Sequence, residues 1–205
     1  VVREGIPFVL IGLFVAIAFI FAGITSLAIV FILLAAFTAY FFRDPHREIT
    51  SEENLVVSAA DGRVTRIEKL NPENADSPNV VSVFLSIFDV HINRSPIAGE
   101  ISEVVYSKGK FVIATREDAS QINEQNTLTI KNERMTIVCK QIAGVLARRI
   151  VCWKRAGDRV VLGERFGLIR FGSRTDLILP PEVEIAVKVG DKVRGGVTII
   201  GRLQH

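Results

Sequence analysis

From Ile6 to Phe42 the chain carries no Asp, Glu, Lys or Arg. A helix needs roughly 20 apolar residues to cross a bilayer core, and this run is nearly twice that, so one straight helix would overshoot. Near its middle, Gly23-Ile24-Thr25-Ser26 has the composition of a turn. The run therefore predicts a hairpin of two short transmembrane helices, about 6–22 and 27–42, with Pro7 in a first helical turn. A single long tilted helix is the alternative. A signal peptide has a shorter apolar core and a small-residue cleavage site; here the run ends in Tyr40-Phe41-Phe42 and then Arg43, the pattern of an interfacial anchor. A hairpin puts Arg3, Arg43 and Arg47 on one side, which the positive-inside rule assigns to the cytoplasm. The expectation is a membrane anchor over 1–46 and a domain over 47–205 on the cytoplasmic face of the cell membrane.

Beyond Arg43-Asp44-Pro45-His46 the composition changes. Short β-branched runs separated by Gly, Asp and Asn predict strands at 55–59, 63–69, 80–86, 99–106, 127–131, 135–141, 145–153, 159–162, 167–171, 176–179, 184–187 and 198–200. No later segment has a long helical period, so the domain reads as mainly β. Gly157-Asp158-Arg159-Val160 is echoed by Gly190-Asp191-Lys192-Val193 and by Asp61-Gly62-Arg63-Val64. A G-D-x-V unit is a tight turn feeding a strand, because glycine tolerates positive φ and aspartate bonds back to nearby amides. Repeated in a small β domain, it suggests a barrel-sandwich hybrid like that of biotinyl and lipoyl domains. The polar stretch Ser107–Asn126, with an apolar patch at Phe111–Ala114, reads as a flap or substrate loop.

The net charge is +3 and the basic residues are scattered, which leaves no nucleic-acid footprint. Cys139 and Cys152 form no C-x-x-C pair. His46 lies beside the apolar run and His205 at the end of the sequence, so His91 is the histidine within the domain. It follows an apolar strand in "FLSIFDVHINRSPIAGEI", among Asn93, Arg94 and Ser95, a good place for a general base. Asp61, in "VVSAADGRV", is either a turn residue or the carboxylate that orients an imidazole. Ser173, in "IRFGSRTDLILP", is either a turn residue between two strands or a reacting group. The order Asp61, His91, Ser173 permits a triad, although the G-x-S-x-G elbow of α/β hydrolases is missing.

Taken together, "FFRDPHREI", "SAADGRV", "FLSIFDVHINRSPIAGEI", "ARRIVCWKRAGDRV" and "FGLIRFGSRTDLILP" resemble the short form of phosphatidylserine decarboxylase, a group that includes archaetidylserine decarboxylase. The resemblance covers nearly the whole chain. It implies a proenzyme that cuts itself between Gly172 and Ser173 into a β chain (1–172) and an α chain (173–205) that remain associated, with Ser173 converted to a pyruvoyl group. His91 would be the base that activates Ser173 and later the proton donor, with Asp61 orienting it. The pyruvoyl carbonyl would act as the electron sink, as pyridoxal phosphate does elsewhere. No metal and no pyridoxal phosphate is implied. The substrate would be a serine phospholipid of the bilayer, and a homodimer would suit the family.

The sequence departs from expected relatives in places. Phe88 stands three residues before His91, where long bacterial members carry a second histidine. Arg174 follows the serine, where many relatives have Ser or Thr; a guanidinium there suits a phosphate or carboxylate. Gln125, in "NEQN", replaces an arginine. Asn93, Arg94, Phe111 and Arg174 are the candidate substrate contacts, with Phe111 and Val112 expected to touch the membrane. Two other readings remain at this point: a membrane-anchored serine hydrolase using Asp61, His91 and Ser173, and a non-enzymatic barrel-sandwich adaptor.

Overall fold

The uncharged run winds into two helices, α1 (Ile6–Phe21) and α2 (Thr25–Phe41), joined through Gly23 at φ +75°. Small residues make the seam between them: Ala16, Ala28 and Ala35 are buried, and a Cβ on Gly12 would sit 3.1 Å from that of Ala35. Small side chains let two helix backbones approach closely, as they do in apolar surroundings. The other faces expose Phe14, Phe21 and Leu33. The hairpin is thus as expected, but the spans are not. With 16 and 17 residues, the helices reach only about 24 and 26 Å at 1.5 Å per residue, short of a core about 30 Å thick. Among the described residues no helix is long and apolar enough to cross a membrane.

This computed structural model describes residues 1–49, 52, 54–114, 116, 118–145, 149–170 and 172–204. It divides into two units, 1–46 and 47–205. The second unit is mainly β. In chain order it contains β1 (Leu55–Val57), β2 (Gly62–Lys69), β3 (Asn79–Leu85), β4 (Ile92–Arg94) and β5 (Gly99–Ser107). A single-turn helix α3 (Ala119–Ile122) leads to β6 (Gln125–Lys131), β7 (Thr136–Ile142), β8 (Ile150–Cys152), β9 (Arg159–Val160) and β10 (Arg165–Ile169). The chain ends with β11 (Ser173–Leu179), β12 (Val183–Ile185), β13 (Lys192–Val193) and β14 (Ile199–Leu203).

An antiparallel eight-stranded sheet in the order β13-β2-β3-β11-β7-β6-β5-β9 curls into a half-barrel. Two three-stranded sheets, β1-β14-β12 and β4-β10-β8, complete the unit. This curled sheet is what the structure has where a barrel-sandwich hybrid was expected. The core gathers Val83, Leu85, Leu128, Ile137, Phe166, Leu177 and Leu179 from several of these strands.

The repeated turns are built alike. The Asp158 carboxylate accepts from Arg155 N at 2.8 Å and the Asp191 carboxylate from Lys188 N at 3.0 Å, with Gly157 and Gly190 at φ +90° and +99°. The main correction lies at Ser173: Gly172-Ser173-Arg174 is not a turn, because β11 already starts at Ser173 and pairs it with Leu85 of β3. The three-residue β4, the two-residue β13 and α3 were not anticipated. Residues 146–148 of the expected strand 145–153, Phe171 and His205 lie outside the described residues.

Phe166 is fully buried in the middle of this core. Phe166→Ala should cost about 3–5 kcal/mol through lost burial and the cavity it leaves. The check is the shift in urea midpoint in detergent solution at unchanged slope.

Candidate active site

β11 runs through the middle of the large sheet, between β3 and β7. Its first four residues, Ser173, Arg174, Thr175 and Asp176, are polar yet buried. Side chains alternate along a strand. Leu177 and Leu179 point into the core, so Ser173 and Thr175 share that face, and Arg174 and Asp176 point to the opposite one.

On the core side the polar groups form a chain. Asn93 of β4 donates to the Thr175 hydroxyl at 3.2 Å and accepts from Gln141 Nε2 at 2.8 Å. Gln141 in turn accepts from Asn126 Nδ2 at 2.9 Å. Thr175, Gln141 and Asn126 are register neighbours on β11, β7 and β6. This chain bonds the small β4 sheet to the large one. Asn93, expected as a substrate contact, thus ties β4 to the large sheet.

His91 sits two residues before Asn93, as Ser173 sits two before Thr175. The imidazole is buried. Its Nδ1 lies 3.0 Å from the Asp89 carbonyl oxygen. A carbonyl can only accept, so the proton is on Nδ1 and Nε2 is the basic nitrogen. The backbone carbonyl of His91 receives Ile169 N at 3.3 Å, which holds the end of β10 beside it. Thus β4 borders both arms of the connection that carries Gly172 and Ser173. The Ser173 hydroxyl is fully buried and makes no hydrogen bond among the described residues. Gly172, just before it, has φ +48°, in the left-handed region that favours glycine.

Asp61 is brought to β4 by the bond from Arg94 N to the Ala59 carbonyl, 2.8 Å. One carboxylate oxygen takes the Arg47 guanidinium at 2.6 Å and the other Gly195 N at 2.8 Å. Burial pushes its carboxyl above the ordinary aspartate range, and the nearby Asp89 charge pushes the same way. The Gly195 amide and Arg47 pull it down without cancelling that rise. The Nδ1 proton expected to meet Asp61 faces the Asp89 carbonyl instead.

Arg174, expected at the substrate, is tied down on the far face. Its Nε and Nη2 meet the Asp176 carboxylate at 2.9 and 3.0 Å, with both side chains buried. Its Nη1 donates to the Ala114 and Arg116 carbonyls, both at 3.0 Å. Arg94 is also buried and donates to the Gly163 carbonyl at 3.1 Å. Phe111 packs against Ala143 and Ile169, and the exposed apolar residue of its segment is Ile113. Asn123 holds that segment by bonding Val112 N and O, each at 2.9 Å, and the Ala143 carbonyl at 2.7 Å. Arg47, Asn123, Gln141 and Asp176 thus matter to the site without having been singled out for these roles. The legible signal was four polar residues opening a strand that ends "LIL". Among the described residues no group of His, Cys, Asp and Glu gathers in a metal-binding arrangement.

A family model for phosphatidylserine decarboxylase matches residues 34–201. A phosphatidylserine decarboxylase proenzyme of Solibacter usitatus is 51% identical over 175 residues, covering 85% of this chain and 83% of its own. The proenzyme of Desulfotalea psychrophila is 40% identical over 99% of this chain and 96% of its own. That of Symbiobacterium thermophilum is 45% identical over 99% and 95%.

The Arg174–Asp176 pair gives a stability test. Arg174→Ala strands a buried carboxylate and should cost about 3–5 kcal/mol, whereas the apolar double change Arg174→Met with Asp176→Leu should cost much less. Urea unfolding of the two variants checks the order.

Proposed function

The chain belongs to the phosphatidylserine decarboxylase family and is a decarboxylase of the lyase class; from that premise we propose that it decarboxylates phosphatidylserine at a bilayer surface through a ketone made from its own Ser173. The observation that carries this is the Ser173 hydroxyl, buried and unbonded among the described residues, directly after a glycine at positive φ. A hydroxyl that adds no hydrogen bond to the fold is lost at no cost when it becomes a ketone.

His91 Nε2 takes the Ser173 Oγ proton as Oγ adds to the carbonyl carbon of Gly172. The proton returns to the Ser173 nitrogen as the C–N bond breaks and an ester forms. Loss of the Ser173 Cα proton then expels the Gly172 carboxylate. The dehydroalanine left behind takes up water and releases ammonia, leaving the pyruvoyl ketone. Burial excludes bulk water from the first step and strengthens the polar interactions around it. Asp61, anchored by Arg47 and Gly195, helps hold the segment that bonds β4, and with it the neighbouring His91, in place.

The ketone supplies an electron sink for the departing carbon dioxide. His91 returns a proton to the carbon that lost it. The residues 173–205 stay bound after cleavage, because β11 lies between β3 and β7, β13 pairs with β2, and β14 lies between β1 and β12. Mutating Ser173→Ala or His91→Ala should leave one uncut chain on a denaturing gel, with no carbon dioxide released from phosphatidylserine. Wild type should give two bands, the smaller reacting with a hydrazide. An uncut but active Ser173→Ala protein would overturn the proposal.

The helical hairpin holds the enzyme at its substrate by embedding in the bilayer, and Arg3 and Arg43 at its open end favour the cytoplasmic face. In the second unit, exposed Phe88, Ile113 and Val145 stand on segments that also carry His91, Ala114 and Gly144. In this reading they make an apolar rim through which the lipid head group arrives. Ile113→Asp should lower activity on vesicles at least tenfold more than on a short-chain soluble phosphatidylserine. Equal loss on both would remove the rim from the account.

A further inference from the structure

The oxygen of the scissile carbonyl has an unusually close neighbour. A Cβ built on Gly144 would lie 1.9 Å from Gly172 O and 3.1 Å from Gly172 C. Both contacts are with backbone, which cannot swing aside as a side-chain tip can. The topology explains the approach. β7 and β11 pair Thr175 with Gln141 and Arg174 with Ile142, and two further steps of that register set Gly172 opposite Gly144. By contrast, a Cβ on Gly172 would meet nothing within 4 Å. Glycine is needed at 172 for its φ and at 144 for its lack of a side chain.

We propose that Gly144 is a positioning residue for self-cleavage: its bare Cα forms the berth that holds the Gly172 carbonyl in line for attack by Ser173 Oγ. The inference rests on the self-cleavage reading above. The berth is fixed from two sides. Asn123 Nδ2 bonds the carbonyl of Ala143, the residue before Gly144, at 2.7 Å. Arg174 Nη1 bonds the carbonyl of Ala114 at 3.0 Å, and Ala114 Cβ would be 3.4 Å from the added Gly144 Cβ. A methyl group on residue 144 must push the Gly172 oxygen away and turn the 172–173 peptide plane. A displacement of about 1 Å at reacting atoms can cost about 100-fold in rate. After cleavage the same oxygen belongs to a chain-terminal carboxylate that can move off, so the berth has no part in decarboxylation.

The test compares wild type, Gly144→Ala, Ser173→Ala and Gly99→Ala as full chains in detergent. Gly99 is a matched burden remote from β11, since its added Cβ would lie 2.5 Å from the backbone oxygen of Lys131. The readouts are the first-order rate of appearance of 173–205 by intact mass, and carbon dioxide release per hydrazide-reactive ketone. Gly144→Ala should cleave about 100-fold more slowly, while turnover per ketone in its cleaved fraction does not fall with it. Cleavage of Gly144→Ala at the wild-type rate overturns the proposal, as does equal slowing by Gly99→Ala. Wild type that never cleaves between 172 and 173 overturns the underlying reading instead. If Gly144→Ala does not fold, Asn123→Asp tests the same berth, because it keeps the shape and withdraws the N–H from Ala143 O. It should slow cleavage about tenfold, and a wild-type rate would again overturn the proposal.

Discussion

The site depends on a line of buried amides. Asn93 bonds Thr175 and Gln141, and Gln141 bonds Asn126. Ser173 opens β11 of the large sheet and His91 directly precedes β4 of a small one, and three-residue β4 is too short to fix its own position. Asn93 fixes it by bonding across to the large sheet. Such a network is stable only if every member finds a partner, because an unpaired buried amide costs about 1–3 kcal/mol. The requirement fixes Asn93, two residues from His91, against Thr175, two residues from Ser173. The Ser173 hydroxyl, close by and without a partner among the described residues, is the exception.

Strand alternation assigns the two faces of β11 different work. The core face carries Ser173 and Thr175 into the site. The other face carries Arg174 and Asp176, whose buried pair holds the carbonyls of Ala114 and Arg116. The segment after Ser107 is therefore clamped by the residue that directly follows the serine, and by Asn123 from its other end.

Some of this was legible in the sequence and some was not. The G-D turns were, because glycine at positive φ and a back-bonding aspartate are local chemistry. His91 and Ser173 stood out through flanking patterns that fit a family. The helix pair was legible as a hairpin with arms of about the observed length, but hydropathy reports only that residues avoid water, not that arms of 16 and 17 residues cross a bilayer. β4 was missed because "INR" has no period to read. Arg174 looked like an anion ligand because sequence does not reveal which strand face a charge occupies or that Asp176 is there to meet it. Asp61 looked like the partner of His91, yet the nearer acceptor for Nδ1 is a backbone carbonyl, which no sequence pattern marks.

The central claim is that Ser173 is consumed to make a ketone. The most direct measurement is the intact mass of the denatured wild-type protein. The account predicts two fragments, 1–172 and 173–205, whose masses sum to that of the precursor plus water minus ammonia. A sum equal to the precursor plus water alone would mean simple hydrolysis with the serine retained, and a single unmodified chain in an active preparation would mean that Ser173 is never converted. Either would contradict it.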